Sequence, residues 1–85
     1  MDGKNFDLEI TSRSGILFSE ECDFVVIPTA MGEIGVLKGH IPLMSVVSKG
    51  NIRIHRNGKI IKEIKVELGF AEVSQTSVNI LVGKS

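Results

Sequence analysis

The stretch Gly32-Glu33-Ile34-Gly35-Val36-Leu37-Lys38-Gly39-His40-Ile41-Pro42-Leu43 governs how the rest of the chain is read. Glycines at 32, 35 and 39 bracket the aliphatic pair Val36-Leu37, and Pro42 follows closely. Glycine reaches backbone angles that other residues resist, and proline fixes φ. The expected order is turn, very short strand over Val36-Leu37, turn, then a pinned loop. Gly32, Gly35, Gly39 and Pro42 are the loop-shaping residues in this scheme. Ile41, Pro42 and Leu43 are expected to pack inward. Glu33 and His40 are then expected to project from loops at one end of the domain.

Strand signals continue in both directions. Phe6-Asp7-Leu8-Glu9-Ile10-Thr11 and Asn51-Ile52-Arg53-Ile54-His55-Arg56 alternate apolar and polar residues, the mark of a strand with one buried face. Phe24-Val25-Val26-Ile27 is continuously apolar, which suits a strand covered on both faces. Asn57-Gly58 predicts a type I′ hairpin, whose two central residues need positive φ. Ile60–Leu68 fits a helical stripe as well as alternation, and the hairpin before it and its β-branched content favour a strand. With Gly15–Phe18, Leu43–Val47, Gly69–Val73 and Val78–Val82, the pattern predicts an all-β domain. It is a flattened barrel or β-sandwich of about ten short strands in two sheets. No linker or repeat divides residues 1–85, so a single domain is expected.

Composition excludes several functions. Ten basic residues balance ten acidic ones, and no basic stripe offers a nucleic-acid surface. The longest apolar run falls far short of the roughly 20 residues that cross a bilayer, so no direct membrane insertion is expected. The start has neither the apolar core of a signal peptide nor the arginines of a transit peptide. His40 and His55 are the only histidines and Cys22 the only cysteine. They do not form a zinc ligand set, and no base or cation near Cys22 would activate a nucleophile. Gly83-Lys84-Ser85 ends like a phosphate loop but lacks the earlier glycine, since Val78 stands in its place. Leu68-Gly69-Phe70 is similar to the carboxylate loop of PDZ domains, yet it falls too late in the chain; a glycine easing a bend before a buried Phe70 is the simpler expectation. No cofactor, small-molecule substrate or catalytic residue is expected, and the chain is read as not an enzyme.

Taken together, Gly32–Leu43 resembles the epsilon subunit of the F-type ATP synthase. That family carries Gly-Glu-(Leu/Met/Ile)-Gly-(Ile/Val)-x-Pro-Gly-His-x-Pro-Leu here, and Lys38 replaces its proline. The similarity extends to Phe6–Thr11, Leu17-Phe18, Gly50–Ile54, Leu68–Val73 and Val78–Leu81, in order and without large gaps. Membership implies the N-terminal β-sandwich of a rotor subunit. Such a subunit packs on gamma, rests on the c-subunit ring and helps couple proton passage to ATP synthesis. It also implies Glu33 and His40 as partner-binding residues toward the c ring, at the cytoplasmic face of a bacterial inner membrane. Family members commonly continue into a helical hairpin, whereas this chain ends at Ser85, so the hairpin's functions are not expected here. A small peptide-binding β-sandwich module is the alternative.

Overall fold

A computed structural model describes residues 3–84, with Lys84 described by its backbone alone. Nine strands account for the fold of the described residues: β1 (Phe6–Ser12), β2 (Gly15–Cys22), β3 (Phe24–Thr29), β4 (Gly32–Val36), β5 (Leu43–Val47), β6 (Gly50–Arg56), β7 (Lys59–Val66), β8 (Leu68–Val73) and β9 (Ser77–Lys84). They follow one continuous order, β2-β1-β9-β8-β5-β3-β6-β7, with β4 on the other side of β3. All the pairings are antiparallel except β1 with β9.

The two layers are one sheet folded over, because β5 and β3 meet only at Thr29 and Val47. Pro28 explains the fold line. It has no N–H to donate, and β6 pairs with β3 only from Phe24 to Val26. The Pro28 carbonyl instead accepts from the Ser48 N–H at the β5–β6 corner, at 2.9 Å. At the far corner Arg56 of β6 substitutes for strand pairing: its guanidinium donates to the Glu21 carbonyl and to the Glu20 carboxylate on β2. The result is a flattened, incompletely closed barrel.

Alternation places Phe6, Leu8 and Ile10 of β1, Val78, Ile80 and Val82 of β9, Ile52 and Ile54 of β6, and Ile64 and Val66 of β7 in one core. As the continuous apolar run of β3 suggests, Val25 and Ile27 face that core while Val26 and Pro28 are buried on the other side. Asn57 (φ 55°) and Gly58 (φ 77°) form the expected type I′ turn, and β7 is a strand throughout. Phe70 departs from expectation. Gly69 falls at a bulge where β8 meets β9, and Ala71 and Val73 face the core, so the alternation turns Phe70 outward, 41% exposed.

Candidate functional site: two ends and an apolar face

The Gly32–Leu43 segment runs from one end of the sandwich to the other. Gly32 (φ 114°) opens β4 opposite Thr29, and the strand reaches Val36, so Val36 closes a five-residue strand and Leu37 lies outside it. Gly35 is a strand residue, paired with Val26, and not a turn. It has a packing role: a Cβ there would stand 2.9 Å from the Phe24 ring, which lies against it and meets His55 edge-on at 5.1 Å. The loop after β4 closes with His40 N–H donating to the Leu37 carbonyl at 3.1 Å, with Gly39 at φ 85°. Lys38 keeps negative φ, so this is a type II turn. Gly39 N–H donates to the Gln75 carbonyl at 2.8 Å, which ties the loop to the β8–β9 turn.

These contacts separate the two expected partner residues. Glu33 belongs to β4 near the turn Ala30-Met31, whereas His40 lies past the other end of that strand. They do not project from loops at one end. Glu33 is held by Arg53 of β6, which the sequence did not single out, through two bonds of 2.9 and 3.0 Å. The guanidinium lowers the Glu33 carboxyl below its ordinary range, and the hydrogen bonds are the main cause. His40 is half-buried, and its Nδ1 lies 2.7 Å from the Ile41 carbonyl, so that nitrogen carries the proton and donates. Ile41 and Pro42 are exposed, contrary to the expected inward packing, and Leu43 alone of the three packs against the core. The tie to Gln75 fixes the loop without them.

Two other features lay outside the sequence reading. The turn Ala30-Met31 is fixed by Thr29, whose hydroxyl accepts from Met31 N–H and donates to the Gly32 carbonyl. Met31 at its apex is 96% exposed. On the outer face of the β2-β1-β9-β8-β5 layer, register sets Val46, Phe70, Leu81, Thr11 and Ile16 side by side. That row crosses five strands, about 19 Å at the usual strand spacing. A shallow groove of about 310 Å³ runs beside it, edged by Glu9, Glu72 and Asn79. Reading Gly69 as a bend before a buried Phe70 hid this row; only the strand pairing reveals it.

Cys22 is buried, and desolvation pushes its thiol up to about 11, so it remains protonated at neutral pH. Among the described residues no group of three His, Cys, Asp or Glu could hold a metal ion. No helix of the described residues is long and apolar enough to cross a membrane.

The family described as "ATP synthase, Delta/Epsilon chain, beta-sandwich domain" matches residues 5–84. The chain belongs to this family. Curated relatives of the family agree with it. The chain is 40% identical over 78 residues to the ATP synthase epsilon chain of Granulibacter bethesdensis, covering 92% of this chain and 58% of that one. It is 46% identical over 76 residues to that of Desulfitobacterium hafniense, covering 89% and 57%. The chain thus spans under two thirds of the length of these relatives. Among solved structures, a chain of the Euglena gracilis mitochondrial ATP synthase OSCP/F1/c-ring assembly shares the fold at TM-score 0.84 and 26% identity, covering 92% of this chain and 50% of that one. A chain of the Tetrahymena thermophila central stalk and c ring, at TM-score 0.74 and 12% identity, shares the fold.

Proposed function

We propose that this chain serves as a non-catalytic rotor subunit of a proton-translocating F-type ATP synthase, linking the gamma subunit to the c ring at the cytoplasmic face of a bacterial inner membrane. The observation that carries this reading is the apolar row through Phe70 and Leu81. A β-sandwich that leaves Ile16, Val46, Phe70 and Leu81 open in one row, broken only by Thr11, is shaped to be covered by another protein. That row is the gamma-facing surface, and the end that holds Met31 and Glu33 faces the c ring. One rigid body with contacts on a face and at an end can transmit rotation without chemistry of its own. His40, at the opposite end, does not share the Glu33 contact.

Copurification on a tagged chain tests the reading. Gamma and c subunits should be recovered together, and Phe70→Glu should remove gamma. Recovery of neither subunit with the unsubstituted chain would refute it. Titration of the chain with Mg-ATP should give no saturable heat at micromolar concentration and no turnover.

A further inference from the structure

We propose that a strip of carboxylates beside the apolar row recognises lysine or arginine side chains of the docked partner, which presents an apolar ridge with a cationic line alongside it. That the partner is the gamma subunit rests on the rotor reading above; the charge pattern it must carry rests on strand register. One step along the strands from the row, Glu9 pairs with Asn79 and Asn79 with Glu72. One step further, Asp7 pairs with Glu21. A step is two residues, about 7 Å, and Glu9 and Glu72 stand two strand spacings apart, about 10 Å. Among the described residues none of these four carboxylates has an ion pair, whereas Glu20 and Glu33 are held by Arg56 and Arg53. No described lysine or arginine side chain stands at an outward strand position of this layer. An apolar sheet face with uncompensated charge of one sign on its flank complements a surface that carries the other sign.

The relief of the face fits that occupant. The groove of about 310 Å³ has Glu9, Asn79 and Glu72 on one side and Thr11, Leu81 and Phe70 on the other. A second groove, of about 460 Å³, continues past Glu9 and Asn79 to Asp7 and Glu21. A lysine or arginine from the partner can lay its apolar stem against Leu81 and Phe70 and bring its head between Glu9 and Glu72, with the Asn79 carbonyl as a further acceptor. The opposite flank has the other charge: there β1 and β5 run into the turns Arg13-Ser14 and Ser48-Lys49. An apolar row alone would accept a partner in either direction. Carboxylates on one flank and cations beyond the other admit one direction and oppose its reverse. Charges at the rim of an apolar contact act chiefly on encounter and orientation, so their effect is greatest at low salt.

The test uses the purified chain and F1 assembled with gamma but without this chain, with association followed by interferometry at two salt concentrations. Glu9→Gln/Glu72→Gln should slow association by at least roughly fivefold at about 20 mM salt and come within about twofold of the parent at about 500 mM, where exposed charges are screened. Glu63→Gln/Glu67→Gln makes the same change in net charge away from this face and should stay within about twofold of the parent at both. All four side chains are at least half-exposed, so melting temperatures should match and show that each variant is folded. If the Glu9/Glu72 variant associates like the parent at low salt, or the control slows as much, the carboxylate strip is overturned. The rotor reading then still stands, provided that the parent binds and Phe70→Glu does not. If the parent itself fails to bind F1, the rotor reading and the strip fall together.

Discussion

Arg53 on β6 holds both carboxylate oxygens of Glu33 on β4, with the full width of β3 between the two strands. The pair closes over a surface where Val26, in register with both Gly35 and Arg53, is only 8% exposed. Because the Glu33 carboxyl is lowered in the folded state, its contribution is complete above the ordinary glutamate range, about 4.3. It is lost as pH falls through the lowered folded value. The Glu33 carboxyl resonance should therefore titrate at lower pH in the parent than in Arg53→Met. Melting temperatures of these two proteins should converge once the solution is acidic enough to protonate Glu33. Identical titration in both would show that the pair does not persist in solution.

Lys38→Pro should stabilise the fold. Lys38 occupies the second position of the Leu37–His40 type II turn, has negative φ, and among the described residues its N–H makes no backbone bond. Proline is preorganised for that position, and the gain is about 0.4–1 kcal/mol through the unfolded chain. Thermal melting should rise by a few degrees, roughly 2–8 °C for a domain of this size. A fall would mean that Leu37 cannot accept a following proline.

Gly69→Ala and Gly35→Ala should differ in cost. At Gly69 a Cβ would lie 2.6 Å from the Leu81 carbonyl oxygen, a backbone atom of the paired strand. At Gly35 it would meet the Phe24 ring, a half-exposed side chain that can swing outward. Overpacking of this kind costs about 1–3 kcal/mol, and Gly69→Ala belongs at the upper end or beyond while Gly35→Ala belongs near the lower. Urea unfolding of both variants checks the order.

Cys22 should resist thiol reagents in the native protein at pH 8 and react at once in denaturant, since burial keeps it protonated and covered. Its folded value, about 11, lies above that of an unfolded thiol. A group raised in this way contributes stability below the unfolded value near 8.5 and loses it as pH rises toward the folded one. The parent should therefore lose more stability between about pH 9 and 11 than Cys22→Ala does. Parallel alkaline melts of the two would show that this loss is absent if the thiol is accessible.

Local pattern was enough for the fold class. Period-two alternation in Phe6–Thr11 and Asn51–Arg56, the apolar run at Phe24–Ile27 and the Asn57-Gly58 turn are short-range signals, set by strand geometry and allowed φ. Each reappears at its expected place. The family motif was equally legible, because it is written in consecutive residues. What the sequence by itself could not determine was which surfaces come together. Glu33 meets Arg53, twenty positions away, only because β4 and β6 flank β3. Phe70 faces out because the β8–β9 register, bulged at Gly69, turns Ala71 and Val73 to the core. Val46, Phe70, Leu81, Thr11 and Ile16 form one row only across pairings of distant strands. Glu33 and His40 part company because a five-residue strand, not a turn, begins at Gly32. Side-chain alternation is a property of one strand, whereas a functional surface is a property of strand order and register, and those are settled by burial of the whole core at once.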